Sequence, residues 1–229
     1  MATVIRSVGI EGIAGYPIAV QVKLLSGIAV MNIVGLGDQA VKEAKDRIES
    51  ALDHLGLEFP KKKIIVNLSP SDIKKSGTCL DLPMLIGLLI ESDQLHPVEK
   101  EMDRIVFLGE VGLSGELNHF KGVLLMVIEA KQSGFAHVIL PKASLTEASR
   151  CKGIEILGFE TLAHVLKWVE KRLHYRPEPI VHIKSGFQTS IDFSEVAGHP
   201  FTAVPGADSE VREVRLGKQQ WQGLLGAVR

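Results

Sequence analysis

The stretch Lys61–Glu91, KKKIIVNLSPSDIKKSGTCLDLPMLIGLLIE, decides the fold. Residues 64–68, IIVNL, form a short β-branched run that predicts a strand buried on both faces. Turn residues Ser69–Asp72 end that strand, and Asp81 is a suitable N-cap for a following helix. Leu82–Ile90 is apolar all round apart from one glycine, so this helix belongs in a core. A loop between two buried elements is where a functional site is expected.

Composition narrows the classes of function. The chain has 229 residues, 45% hydrophobic residues and a net charge of −1. It can therefore hold one domain of ordinary size plus extra segments, and any contact with nucleic acid has to come from a local patch. Two cysteines without a secretory signal favour a reducing, cytoplasmic setting, and no apolar run approaches the length of a membrane span, so we expect no membrane partner.

The first sixty residues predict three strands and a helix. Thr3–Ile10, Ile18–Leu25 and Ile28–Val34 are β-rich, and Ser26-Gly27 predicts that the last two form a hairpin. An amphipathic helix is predicted to start near Asp38 and to run to about residue 55.

The surface of that helix carries recognisable stabilising signals. Glu43 and Arg47 stand four residues apart and are expected to pair. Gly56 suits the position that follows the end of the helix.

Strands and helices alternate through the second half of the chain. This alternation predicts an α/β (α+β) class with a mixed sheet. The predicted elements are strand 105–108, hairpin 109–117, helix 121–133, strand 137–140, strand 154–157 and helix 162–173.

Composition changes near residue 175 and predicts a domain boundary. Residues 1–174 form the predicted domain, 175–191 a polar, proline-bearing linker, and 192–199 the start of a further domain. Residues 200–229 show no sustained periodicity, and we expect them to be poorly ordered.

Five lysines crowd the stretch that decides the fold. They are candidates for contact with phosphate or DNA, and the alternative is a solvated strand end whose charges protect an edge. The five are Lys61, Lys62, Lys63, Lys74 and Lys75.

A second candidate is the glycine motif Gly35-Leu36-Gly37-Asp38-Gln39-Ala40. It matches the dinucleotide-binding pattern, in which Gly35 and Gly37 let a pyrophosphate approach a helix N-terminus, with Glu58 about twenty residues further on. The alternative is a turn followed by an N-cap. A preceding strand in a hairpin and a negative charge at Asp38 both favour the turn.

Cys79 is the candidate nucleophile, because it precedes a helix N-terminus, where the helix dipole lowers a thiol pKa. The alternative is a small buried hydrophobic residue. The eight histidines show no metal-ligand spacing, so we expect no metal site. No G-x-x-x-x-G-K-[ST] motif exists, since Gly217-Lys218 is followed by glutamine.

Three long motifs resemble the N-terminal domain of the ComM/YifB family, which are magnesium-chelatase-related AAA+ proteins. They are MNIVGLGDQAVKEAKDRIESAL from Met31, FPKKKIIVNLSPSDIKKSGTCLDLPMLIGLL from Phe59 and LGEVGLSGELNHFKGVLLMVIEAKQSGFAHVILP from Leu108. The segment DFSEVAGH, residues 192–199, is similar to the opening of the family's AAA+ module. The family often has proline where Gly37 stands, which weakens the dinucleotide interpretation.

The resemblance implies a Lon proteolytic-domain-like, ribosomal-protein-like two-layer fold, with a mixed sheet backed by helices on one side. It implies an accessory and assembly domain of a hexameric ATPase that uses ATP and magnesium in DNA branch migration of the competence type. After residue 199 the sequence departs from the family. We therefore expect this chain to lack the motor, to bind no ATP and to be inactive alone, with the AAA+ module of the full-length protein and DNA as candidate partners.

The Lon likeness also implies a test for peptidase chemistry. It places Cys79 at or near the position of Lon's nucleophilic serine. A gapless match puts Leu124 at the partner lysine, with Lys121 one turn earlier. The dyad is incomplete in this register, so a structural Cys79 is favoured over a Lon-like peptidase.

Overall fold

The computed structural model describes residues 2–97 and 99–170. In this part of the chain, seven strands form one mixed sheet in the order β3-β4-β2-β1-β5-β8-β9, and β6 and β7 form a separate two-stranded hairpin. The strands are β1 Thr3–Glu11, β2 Ala14–Leu25, β3 Val30–Val34, β4 Lys63–Ser69, β5 Ile105–Phe107, β6 Glu110–Val111, β7 Leu117–Asn118, β8 His137–Pro141 and β9 Glu155–Phe159.

Helices connect these strands, and the longest ones pack on the sheet. They are α1 Gln39–Lys42, α2 Ala44–His54, α3 Asp81–Glu91, α4 Val123–Gln132, α5 Leu145–Ala148 and α6 Leu162–Glu170, with short 3-10 turns at Glu99–Arg104 and Lys142–Ser144. The predicted α/β class with a mixed sheet is confirmed.

The pairing of β3 differs from the predicted hairpin. β1 and β2 form the hairpin, β2 pairs antiparallel with β4, and β3 pairs in parallel with β4 at the edge of the sheet. The predicted β2–β3 hairpin around Ser26-Gly27 is therefore wrong. Parallel neighbours need a crossover, and α1 and α2 supply it between β3 and β4.

Strand β4 is buried on one face rather than two. Ile64, Val66 and Leu68 are buried, whereas the alternate residues are only half-buried. The prediction of burial on both faces is wrong because helices cover only one face at this end of the sheet. The strand β5 is buried at all three positions, as expected for a strand covered on both faces.

Helix α3 is the core element that its composition predicts. Every side chain from Leu82 to Leu89 is buried. Gly87 lets the helix lie close to the sheet, since a Cβ there would stand 2.7 Å from the side chain of Val22 and 3.4 Å from that of Ile5.

Helices α3 and α4 lie on opposite faces of the sheet. Val22 points towards α3, whereas Gly15, at an odd position of the same regularly paired strand, lies against Glu129 of α4. Successive side chains of a strand point to opposite faces. The mixed sheet backed by helices is confirmed. The prediction that helices back it on one side only is wrong, because α4 packs on the face opposite α3, and the Lon-like two-layer detail is not confirmed.

The helix predicted from Asp38 is two helices. Asp38 is the N-cap as predicted, its carboxylate accepting from the amide of Val41 at 3.0 Å. The helical path is interrupted at Glu43, which ends α1 and precedes α2. Gly56 has φ +69, in agreement with its predicted place after the helix.

The hairpin and the helix that follow β5 agree with the sequence in outline. Gly115 has φ +80 in the β6–β7 turn. The buried stripe of α4 consists of Val123, Met126, Val127 and Ala130, while Leu124 and Ile128 are half-buried.

The predicted boundary at residue 175, the linker 175–191, the segment 192–199 and the tail 200–229 lie outside the described residues. Among the helices of residues 2–97 and 99–170, none has the length and apolar character required to cross a bilayer.

Candidate functional site

The loop between β4 and α3, residues 70–80, is held by the turn that follows β3. Lys75 pairs with this turn through its backbone, donating to the carbonyl of Leu36 at 3.0 Å and accepting from the amide of Asp38 at 2.9 Å. The carboxylate of Asp38 also accepts from the amide of Gly77 at 3.1 Å. Two segments that are 39 residues apart in sequence are thereby fixed to one another.

A cavity of about 650 Å³ lies beside this loop. Its wall combines the loop, the end of β1, the β6–β7 hairpin and the start of α4. The lining residues are Ile10, Gly12, Ser76, Gly77, Thr78, Cys79, Glu110, His119, Phe120, Lys121, Gly122, Leu125 and Met126. It holds the candidate nucleophile, and we treat it as the candidate functional site.

Cys79 borders this cavity but is only 3% exposed. Burial raises the pKa of its thiol to about 12, and the negative charge of Asp81 adds to the shift. A thiol in this state is protonated at neutral pH and is a poor nucleophile. The interpretation of Cys79 as a small buried hydrophobic residue agrees with its burial.

Lys121 lines the same cavity, so the structure brings together the two residues that a Lon-like dyad would use. Its side chain is exposed, and among the described hydrogen bonds none joins it to Cys79. Leu124, the position matched to the partner lysine, is half-buried, and its amide donates to Glu147 at 3.0 Å. The dyad is not assembled.

The polar side of the cavity centres on Glu110, which the sequence analysis did not single out. Its carboxylate accepts from the hydroxyl of Thr78 and, at 3.3 Å, from the side-chain amide of Asn118. His119 Nδ1 lies 2.9 Å from the hydroxyl of Ser144. The sequence signal closest to this group was the predicted hairpin over residues 109–117, which contains Glu110.

Beneath the loop, Asp81 forms an ion pair with Arg47, although the sequence predicts that Asp81 caps the N-terminus of α3. Its carboxylate accepts from Arg47 Nε at 2.7 Å and from Arg47 Nη2 at 2.9 Å, and the other guanidinium contact is the carbonyl of Ala40 at 2.8 Å. Leu80, not Asp81, is the N-cap of α3, so that prediction is wrong. The predicted Glu43–Arg47 pair is also wrong, because Glu43 accepts from Gln39 instead.

The surroundings of Arg47 and Asp81 shift the pKa values of both side chains. The Asp81 side chain is fully buried and that of Arg47 is 19% exposed. Burial raises the pKa of Asp81, and the hydrogen bonds and charge of Arg47 oppose that rise. The hydrogen bond to Asp81 raises the pKa of Arg47. Arg47 therefore keeps the loop-side end of α3 attached to α1 and α2.

The five lysines do not form one cluster. Lys63 begins β4 and Ser69 ends it, and at about 3.3 Å per residue the strand separates its two ends by roughly 20 Å. Lys61, Lys62 and Lys63 therefore lie at one end of β4, and the loop lysines lie at the other.

The two loop lysines also differ from each other. Lys74 is exposed, whereas Lys75 is 1% exposed and its ammonium donates to the carbonyl of Ile73 at 2.7 Å. Burial lowers the pKa of Lys75. Lys75 was predicted to contact phosphate or DNA, and its burial does not support that prediction.

The glycine motif lies in a βαβ unit, although a hairpin was expected there. The backbone amides of Asp38 and Val41, however, already donate to groups of the protein itself. Gly35 has φ +103 and lies against the carbonyl of Leu68, where a side chain would clash. The N-terminus of the four-residue helix α1 is capped by Asp38. Glu58 binds Gln94 through its backbone amide, away from this turn. The geometry favours the turn and N-cap over dinucleotide binding.

Within residues 2–97 and 99–170, no group of three or more histidine, cysteine, aspartate or glutamate side chains is arranged to share a metal ion.

Comparison with known proteins assigns the chain to a family. The family model described as subunit ChlI of Mg-chelatase matches residues 20–144. YifB of Escherichia coli is 35% identical over 188 residues, covering 82% of this chain and 36% of its own length. Competence protein ComM of Haemophilus influenzae is 30% identical over 191 residues, covering 82% of this chain and 37% of its own length.

A shorter match reaches DNA repair protein RadA of Bacillus subtilis, 39% identical over 95 residues, which cover 42% of this chain and 20% of that protein. The chain spans a little over a third of the length of YifB and ComM. The ComM/YifB resemblance of the sequence motifs is therefore confirmed. With more than half of its residues inside the family model, this chain belongs to the family of the Mg-chelatase subunit ChlI.

Proposed function

We propose that residues 2–170 form a non-catalytic accessory domain of a ChlI-type ATPase that acts on DNA. The observation that supports a non-catalytic role is the state of the cavity beside α3. Its nucleophile candidate, Cys79, is a buried thiol with a pKa of about 12, and no base contacts it among the described residues. Nucleophilic catalysis needs the opposite arrangement, an accessible group activated by a neighbouring base.

The proposed involvement with DNA rests on the relatives. One is named competence protein ComM and another DNA repair protein RadA. We propose that this domain assists the AAA+ module of the longer protein, where ATP, magnesium and hexamer formation belong, in DNA processing of the branch-migration type. A role in positioning the AAA+ module is supported by the hydrogen bonds that fix the loop 70–80 to the turn after β3.

Direct DNA contact would come from the exposed lysines at the start of β4. Lys61 and Lys62 are both exposed, whereas the Lys75 ammonium is used inside the protein. With a net charge of −1 over the whole chain, such binding depends on a local patch and is weak. Each lysine that neutralises a phosphate contributes a slope of about −0.9 to the dependence of log affinity on log salt for duplex DNA.

A titration of labelled duplex DNA with the full chain at several salt concentrations tests this contact. We expect the double variant Lys61→Gln/Lys62→Gln to bind several-fold more weakly at low salt and to lower the magnitude of the salt slope by about 1.8. Lys152→Gln, which removes an exposed lysine elsewhere, and Lys75→Met, which removes the buried one, are the matched controls and should leave the slope unchanged. No binding at about 50 mM salt, or an unchanged slope in the double variant, contradicts the proposed contact.

The second candidate function is a peptidase, favoured by the shared position of Cys79 and Lys121 on one cavity. Incubation of the chain with casein and with short fluorogenic peptides separates the two functions. We expect no turnover. Cleavage that is lost in both Cys79→Ala and Lys121→Met would overturn the non-catalytic role.

A further inference from the structure

Strand β3 is an open edge of the sheet. It is the outermost strand, and in the described part of the chain only β4 pairs with it. Val30 and Val34 are 40% and 47% exposed. The outward backbone groups of such a strand are available to pair with another strand.

The surroundings of β3 are unusually apolar for an exposed edge. Five of the seven large apolar side chains that are exposed in the described residues lie between positions 25 and 36, namely Leu25, Ile28, Val30, Val34 and Leu36. Leu25–Gly37 contains no charged residue. Edge strands are commonly protected from pairing by lysines, prolines or bulges, and β3 has no lysine or proline.

The sequence of β3, VMNIV, is complementary to itself when one copy is turned around. In an antiparallel pair centred on Asn32, Val30 faces Val34 of the other copy, and Met31 faces Ile33. The only polar side chain meets its own equivalent, and an amide can both donate and accept a hydrogen bond. Every position is thus matched, and no charge opposes the pairing.

We propose that a second copy of this chain binds here, through antiparallel pairing of the two β3 strands about a two-fold axis at Asn32. Met31 and Ile33, which are half-buried against the core, join the side chains on the α3 face of the sheet. Val30 and Val34 form apolar cross-strand pairs on the other face. About four to six backbone hydrogen bonds form, depending on which residues direct their amides outwards.

The small size of the edge limits the strength of the pairing. A five-residue strand with its flanking side chains buries less than the roughly 1,600 Å² of a standard interface. The dimer is therefore expected at micromolar to high micromolar concentrations and must be measured by dilution.

Sedimentation of the full chain between about 1 and 200 µM tests the proposal, because this range spans the affinity expected for a small interface. The wild-type chain should change from monomer to dimer across this range. Asn32→Lys and Asn32→Asp should each weaken the dimer about fivefold, because like charges would face each other across the axis. Their equimolar mixture should recover a heterodimer, which depends on this register.

Leu113→Lys is the matched control, since Leu113 is an exposed apolar residue on the β6–β7 hairpin, 57% exposed as Leu36 is. It should dimerise as the wild type does. Asn32 is exposed, so its variants should keep the wild-type circular dichroism spectrum.

Three results would overturn the pairing. One is a chain that stays monomeric to about 200 µM, as would happen if another part of the chain covered β3. Another is a dimer or larger assembly that both Asn32 variants leave unchanged. The third is an equimolar mixture of the two variants that stays monomeric.

Discussion

Removal of Arg47 should destabilise the protein more than any change at a surface ion pair. Its guanidinium makes two hydrogen bonds to the fully buried carboxylate of Asp81, at 2.7 and 2.9 Å. In Arg47→Met an unbranched apolar stem is kept in place of the aliphatic part of arginine, but the carboxylate loses its counter-charge. What remains to it is a longer hydrogen bond from the amide of Val111 at 3.3 Å.

The expected cost follows from the burial of the pair. Removing one partner of a buried ion pair typically costs about 3–5 kcal/mol, because the other charge is left unpaired away from water. Asp81→Asn should cost less than Arg47→Met, since the guanidinium of Arg47 is 19% exposed and can still reach solvent. In the double variant the two losses should not add, because each single change already removes the same interaction.

The effect should also depend on pH. Burial already raises the pKa of Asp81, and without Arg47 the pKa rises further above its unfolded value. A raised pKa favours the protonated, folded form at low pH, and this contribution is lost as pH rises through the folded pKa. The stability gap between wild type and Arg47→Met should therefore be smaller at pH 5 than at pH 8.

Urea unfolding of the full chain, followed by far-ultraviolet circular dichroism, measures these differences. Lys45→Ala is the control: Lys45 and Glu49 are 3.7 Å apart, with side chains 41% and 51% exposed, and an exposed pair contributes about 0.5 kcal/mol or less. If Arg47→Met cost no more than Lys45→Ala, the pair would not hold α3 to α1 and α2, and the reasoning from burial would be refuted.

Two further predictions concern the titration of buried groups. The pKa of Cys79 is raised from 9.0 to about 12. The stability that the protonated thiol contributes is therefore complete below pH 9 and is lost between pH 9 and 12. The difference in unfolding free energy between wild type and Cys79→Ala should narrow over that range. Burial raises the pKa of Glu91, but hydrogen bonds from Lys23 and Thr3 lower it overall. Its stabilisation is present above pH 4.5 and lost as pH falls, so Glu91→Gln should be closer to wild type in acid unfolding curves than at pH 7.

Local signals in the sequence predicted individual elements well. The apolar run of α3, the N-cap at Asp38 and the glycine at position 56 were all recognisable because each depends on neighbours within a few residues. The same holds for the strands β1, β5 and β8, whose bounds differ from the prediction by only one residue or so.

Pairing between distant segments was not predictable in the same way. The motif Ser26-Gly27 resembles a hairpin turn, but β4, which begins only at Lys63, occupies the place beside β2. Asp81 is a good N-cap by local rules, but the partly buried guanidinium of Arg47, 34 residues away in sequence, determines its role. A single sequence carries no signal for such partners.

The lysine stretch shows the same limit for the candidate site. In sequence, Lys62 and Lys74 are only twelve residues apart and look like one patch. A seven-residue strand lies between them, and its extended backbone carries them to opposite ends of the sheet. Lys75 then turns inward, because its backbone is fixed by Leu36 and Asp38.

Cys79 illustrates how magnitudes decide between two opposing effects at one residue. A position near a helix N-terminus lowers a thiol pKa, but a helix dipole contributes only about 0.3–1 kcal/mol at exposed sites. The rise from 9.0 to about 12 corresponds to roughly 4 kcal/mol in the other direction. Burial therefore outweighs the dipole.

The backbone holds Cys79 in this buried position, since Gly109 donates to the carbonyl of Cys79 at 2.9 Å and accepts from the amide of Leu82 at 3.0 Å. To activate the thiol, the chain would have to break these bonds and open the start of α3, which is also where Asp81 holds Arg47.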